Sequence, residues 1–126
     1  MKTIIFFLIL LTLIIGLSIF FQNMLTDESR ELITSLQGIT ELIRAGKWGE
    51  ANADITVINS RWQRIRRKWH AVTDHTQIGH IDESLARLKA FLLVQEEKDC
   101  LAEIAALEQN IRYIPDKEKL TLRNIF

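Results

Sequence analysis

The stretch WGEANADITVINSRWQRIRRKWHAV, residues 48–72, decides the fold. Trp48, Ala51, Ile55, Ile58, Trp62, Ile65, Trp69 and Val72 follow one another at intervals of three, four, three, four, three, four and three. That alternation holds one face of an α-helix toward a partner, whereas a strand would need apolar residues at every second position. The spacing predicts a helix roughly 37 Å long at about 1.5 Å per residue. Burying a large apolar side chain is worth at least about 1.5–3 kcal/mol. Trp48, Trp62 and Trp69 are therefore expected in a core, and the seam requires a partner helix of similar length.

Moving outward, the preceding segment supplies one. Leu25, Leu32, Leu36, Ile39 and Ile43 fall on a single stripe. They predict a helix from about Thr26 or Asp27 to Ala45, with Gly46 as its stop. Thr73-Asp74-His75-Thr76 suits a turn. A third helix is expected from about Ile78 to Val94, carrying Ile78, Ile81, Leu85, Leu88 and Leu92, with Phe91, Leu93 and Val94 widening its apolar face. The polar run Gln95–Asp99 breaks it. A fourth helix then places Cys100, Ile104, Leu107, Ile111 and Ile114 on its stripe and ends at Pro115, because the residue before a proline is pushed out of helical geometry. Asp116–Phe126 is expected to be a short tail with at most one helical turn. No segment alternates with period two, so strands are not expected. The fold class is all-α: a transmembrane helix followed by an antiparallel bundle of about four helices, arranged as two hairpins.

The transmembrane assignment rests on Thr3–Phe21, nineteen residues without a charged side chain. About 20 apolar residues cross a hydrocarbon core roughly 30 Å thick, and a helix satisfies its own backbone there. Signal-peptide apolar regions are usually shorter, about 7–15 residues, and end in a small-x-small cleavage site. The bulky exit Phe20-Phe21-Gln22-Asn23-Met24-Leu25 opposes cleavage. The chain is therefore read as a signal-anchor over residues 1–24 and a helical-bundle domain over 25–126. Lys2 on one side and Asp27, Glu28 and Glu31 on the other place the N-terminus in the cytoplasm and the domain outside the cell membrane.

Sixteen basic residues balance sixteen acidic ones. A neutral domain lacks the positive field of a general nucleic-acid binder, so nucleic acid is excluded as a partner. Phosphate loops, zinc-protease motifs and nucleophile elbows are all absent, and no catalytic residue or cofactor is assigned. Cys100 reads as a buried structural thiol, without the activation a nucleophile needs. Asp74, His75 and His80 are of the residue types that ligate divalent metals, but a turn-capping Asp74, a His75 packed at the bundle end and a solvated His80 at a helix start explain them better, as does water-facing placement for Asp82 and Glu83; no metal site is assigned. The basic face of the second helix (Arg61, Arg64, Arg66, Arg67 and Lys68) is a candidate for an anionic partner. The apolar tail residues of Leu120–Phe126 either pack on the bundle or enter a partner groove.

Several residues together resemble a known family. They are Trp48 near Glu50-Ala51, Trp62 and Trp69 seven apart, Asp74-His75, Ser84-Leu85-Ala86-Arg87-Leu88, and Ile114-Pro115-x-Lys117-Glu118-Lys119-Leu120-Thr121-Leu122-x-Asn124-Ile125-Phe126. The chain resembles the bacterial domain-of-unknown-function family 4363, small single-pass membrane proteins of Gram-positive, clostridia-like bacteria. The resemblance implies a membrane-protein partner of the YetF type and brings no activity. Gly46-Lys47 and Gly49 depart from the acidic residues expected at that turn.

These readings converge on a non-catalytic interaction or accessory subunit of another membrane protein, tied to lipid through its anchor. Arg61, Arg64, Lys68, Asp74, His75, Asn124 and Phe126 are its candidate partner-binding residues, over a core of Trp48, Trp62, Trp69, Leu85, Leu88, Leu107 and Pro115. The alternatives are a metal- or ligand-sensing domain built on the Asp74-His75 turn and a division-type coiled-coil scaffold.

Overall fold

A computed structural model of the chain describes residues 1–125. It contains four helices: α1 (Lys2–Arg44), α2 (Trp48–His70), α3 (His75–Leu93) and α4 (Glu97–Ile125). They run up and down in sequence. Each packs on two neighbours in the order α1, α2, α3, α4 and back to α1. The core is a single cluster running along the centre of this ring.

α1 is one unbroken helix of 43 residues. Within its most apolar eighteen-residue stretch no residue is buried, while beyond it Leu25, Leu32, Leu36, Ile39 and Ile43 are all buried against the bundle. The stripe lacks an apolar residue between Leu25 and Leu32, and buried Ser29 fills that place. The apolar run and the first bundle helix are thus the same element.

The α2 seam is consumed within the chain. Ala51, Ile55, Ile58, Trp62, Ile65 and Trp69 are buried, while Trp48 and Val72 at its two ends are partly buried. Trp62 and Trp69 meet edge to face, with ring centres 5.4 Å apart, a favoured aromatic geometry. Leu85 and Leu88 from α3 and Leu107 from α4 lie in the same core, as the stripes require. Leu93 and Val94 correct an expectation: at 71% and 64% exposure they face water at the α3–α4 turn. The face they would have widened is closed by Leu88 and Leu92, both fully buried.

Two of the three turns use the same device. After α1, Gly46 adopts φ 72°. Its N–H reaches the Ile43 carbonyl at 3.0 Å, and the Lys47 N–H reaches Leu42 at 2.8 Å. After α3, Gln95 takes the left-handed role at φ 56°, with Gln95 N–H to Leu92 at 3.3 Å and Glu96 N–H to Phe91 at 3.1 Å. This paired bonding satisfies carbonyls that a helix end leaves open, and glycine adopts the required φ without a Cβ clash. α3 begins three residues earlier than its apolar pattern suggests, because Asp74 caps it by accepting from the Gln77 N–H at 3.0 Å.

Pro115 does not end α4, which continues to Ile125; the expected tail is helix. The proline lacks the N–H that would bond the carbonyl of Ile111, four residues earlier. Across the interface Ser29 Oγ donates to that carbonyl at 3.4 Å, and Gln22 Nε2 donates to the Pro115 carbonyl at 2.9 Å. α1 thus supplies a donor where the proline removed one. Phe126 lies outside the described residues.

Ser29→Ala should cost about 1 kcal/mol in chemical denaturation, the usual value of one intramolecular hydrogen bond. In a Pro115→Ala background, where the substitution restores a backbone N–H at that position, the same change should cost close to nothing; equal costs in both backgrounds would show that the hydroxyl does not serve the proline site. At the turns, Gly46→Ala should destabilise by about 1–2 kcal/mol and Gln95→Gly should stabilise by up to about 1 kcal/mol, both read from denaturation midpoints. A Cβ at Gly46 would meet nothing within 4 Å, so that cost is conformational.

Candidate interaction surface

The charged residues of α2 sort by what they touch. Arg61 donates to Ser35 Oγ at 3.2 Å, and Lys68 pairs with Glu28, both across to α1. Arg66 pairs with Asp82 of α3 at 2.6 Å. Arg64 and Arg67 remain exposed and pair with no carboxylate among the described residues. The face read as uniformly basic is therefore mostly a set of inter-helix ties.

The same carboxylates also hold the tryptophans. Asp82 Oδ1 accepts from the Trp62 indole N–H at 2.7 Å, and Glu28 Oε2 accepts from the Trp69 indole N–H at 2.8 Å. A buried indole N–H without an acceptor is costly, so Trp62 and Trp69 each bring a carboxylate to the rim of the core. That carboxylate then draws a cation: Arg66 to Asp82, Lys68 to Glu28. Asp82 therefore does not face water as a helix-start residue. A third cluster repeats the logic without an indole: Glu103 accepts from the Ser84 hydroxyl, deeply buried in α3, and from Arg87 Nε at 3.1 Å. Spacing along one chain cannot pair residues on different helices, which is why these ties escape the sequence.

The Asp74-His75 turn lies at the end of the bundle from which α1's apolar stretch emerges. Both carboxylate oxygens of Asp74 are engaged, Oδ1 as the α3 cap and Oδ2 at 3.9 Å from Lys117 Nζ of α4. His75 packs against His70 with the rings tilted by 50° and their centres 4.7 Å apart. His80 is exposed on α3. No group of three His, Cys, Asp or Glu side chains that could hold a metal ion occurs among the described residues. Beside the turn, His70 Nδ1 and the Thr73 hydroxyl are buried without a protein partner.

Cys100 is buried on the α4 stripe. Burial, with Asp99 and Glu96 adding to it, pushes its thiol above the ordinary range, so it stays protonated at neutral pH. Burial likewise raises Glu118, against the opposing pull of Lys117. Among the candidate residues the structure brings Asp74 and His75 to one end of the bundle with the last turns of α4. Arg61 and Arg64 lie farther along α2, and Asn124 is exposed near the end of α4. Exposed Leu93 and Val94, at the opposite end of the bundle, are an apolar surface the helical stripes concealed by assigning both to the core.

The family model described as Domain of unknown function (DUF4363) matches residues 19–125. The match opens inside the apolar run of α1 and carries through Pro115 to the end of α4. No curated protein and no solved structure matches the chain.

Asp82→Ala strands a buried indole N–H and should lower stability by about 1–3 kcal/mol. Asp82→Asn retains an acceptor oxygen and should cost clearly less. Equal losses in urea denaturation would mean that the Arg66 ion pair, rather than the indole, is what Asp82 serves.

Proposed function

Since the chain belongs to the DUF4363 family, a domain of unknown function, we propose that it is a membrane-anchored, non-catalytic subunit that associates with another membrane protein. The observation that carries this reading is the continuity of α1. One helix presents an unburied apolar surface over its first half and the wall of the bundle over its second. Such a helix couples its lipid-facing part to the bundle without a joint, as suits a subunit that docks on a neighbour in the same bilayer. The bundle then stands outside the cytoplasm, as the flanking charges suggest. A membrane protein of the YetF type is the partner that the family resemblance implies.

The buried polar groups support a structural rather than chemical role for the domain. Glu28, Asp82 and Glu103 are each committed to an indole or hydroxyl and to a cation. The surfaces left for a partner are the exposed face of α2 around Arg64 and Arg67, the Leu93-Val94 tip, and the part of α1 before Ile14. The heptad seam packs within the chain, which supports the accessory reading over a self-assembling coiled coil.

The test places a photo-crosslinking residue in turn at Ile9, Arg64 and Leu93 of the full-length chain in native membranes. The chain should resist alkaline carbonate extraction, and at least one position should crosslink to a discrete membrane protein. Release into the carbonate supernatant would remove the anchor. Crosslinks confined to lipid at Ile9 and none at the other two positions would remove the accessory role.

A further inference from the structure

α4 continues past the bundle. The Gln22–Pro115 hydrogen bond sets α1 and α4 level at that point. From there α4 runs to Ile125, about 15 Å at 1.5 Å per residue. It does so antiparallel to α1 and against it: Glu118 and Leu122 line a groove with Ile14, Leu17, Ser18 and Phe21. The uncharged run Thr3–Phe21 is about 28 Å long on the same rise, hardly the roughly 30 Å of a hydrocarbon core. All of it is needed to cross. A helix lying beside residues 14–21 therefore shares the depth of the half-span nearest the bundle.

We infer that Asp116–Ile125 of α4 is a bilayer-interface element that seats the bundle on anionic lipid headgroups; this rests on the anchored reading proposed above. Its outward surface has the matching chemistry. Tyr113, Lys117, Leu120 and Asn124 follow at intervals of four, three and four along one stripe, and Lys119 and Arg123 lie four apart on the next. Tyr113 and Leu120 are 46% and 57% exposed, and the Lys117 ammonium lies 5.9 Å from the Tyr113 ring centre. Tyrosine concentrates at the level where lipid meets water. Lysine and arginine stems run through apolar surroundings while their charges reach the phosphates. Glu118 is turned into the groove against α1; beyond exposed Asp116, next to the Gln22 level, the outward charges are the cations Lys117, Lys119 and Arg123, with Lys117 also 3.9 Å from Asp74. Its N–H groups are satisfied within the helix, which lowers the cost of this depth, while the carbonyls of its last turn are left open as at any helix end.

The experiment uses the full-length chain with Cys100→Ser, reconstituted in phosphatidylcholine vesicles with and without phosphatidylglycerol. Spin labels are attached singly through Leu120→Cys and Asn124→Cys, with Ile9→Cys and Val57→Cys as references. Accessibility to oxygen and to a polar nickel chelate reports depth. Position 9 should read as lipid, position 57 as water, 120 as the upper acyl region and 124 as deeper than 120, both deeper when phosphatidylglycerol is present. Water-like values at both 120 and 124, with 9 in lipid, would overturn the inference and leave the anchor standing. A water-like value at 9 would overturn both. Lys117→Gln, Lys119→Gln and Arg123→Gln together should abolish the deepening by phosphatidylglycerol; an unchanged deepening would overturn the headgroup assignment.

Discussion

The whole structure depends on α1 being a single helix, apolar and unburied over its most hydrophobic stretch and packed into the core beyond it. Its second half buries Leu25, Ser29, Leu32, Ile33, Leu36, Ile39 and Ile43 and forms one wall of the core. Its first half buries nothing. There is no glycine pair, proline or strained residue where the two halves meet, so the orientation of the bundle follows from the direction of the apolar helix. α2 and α4 take their places directly on α1, and α3 closes the ring opposite, packed on both of them.

Polar groups at the rim of this core are arranged by need rather than by sequence proximity. The seam places two tryptophans deep in the bundle, and each indole N–H must find an acceptor. Glu28 from α1 and Asp82 from α3 supply them, and Lys68 and Arg66 then offset the carboxylates. These ion pairs are part-exposed and contribute little by themselves. Their value lies in fixing the register between helices, because an indole, a carboxylate and a cation from two helices meet only when the two are in step.

Pro115 shows how a local rule yields to packing. A proline inside a helix removes one hydrogen bond and costs roughly 3 kcal/mol when nothing compensates. Here Ser29 reaches the orphaned Ile111 carbonyl, Gln22 reaches the Pro115 carbonyl, and the proline ring itself is buried in the α1–α4 contact. The α4 stripe also continues in register through the proline: 100, 104, 107, 111 and 114 are followed by Glu118 and Leu122, both turned to α1. Periodicity carried the information that α4 goes on, and the proline masked it.

The sequence by itself determined the all-α class, the number of bundle helices, the Gly46 stop, the core seams of Trp62, Trp69, Leu85, Leu88 and Leu107, and the existence of an apolar stretch long enough to span lipid. These follow from spacing along one chain, which the helical period converts directly into a face. Only the tertiary structure decided that Glu28 and Asp82 belong to tryptophans, that most of the basic face of α2 is spent on neighbouring helices, that Leu93 and Val94 point to water, and that α4 survives Pro115 to run back along α1. Each of those depends on which helix lies across the interface and at what height. A linear pattern fixes the face of a helix, whereas the height of its neighbour is settled when side chains from several helices pack and satisfy one another together.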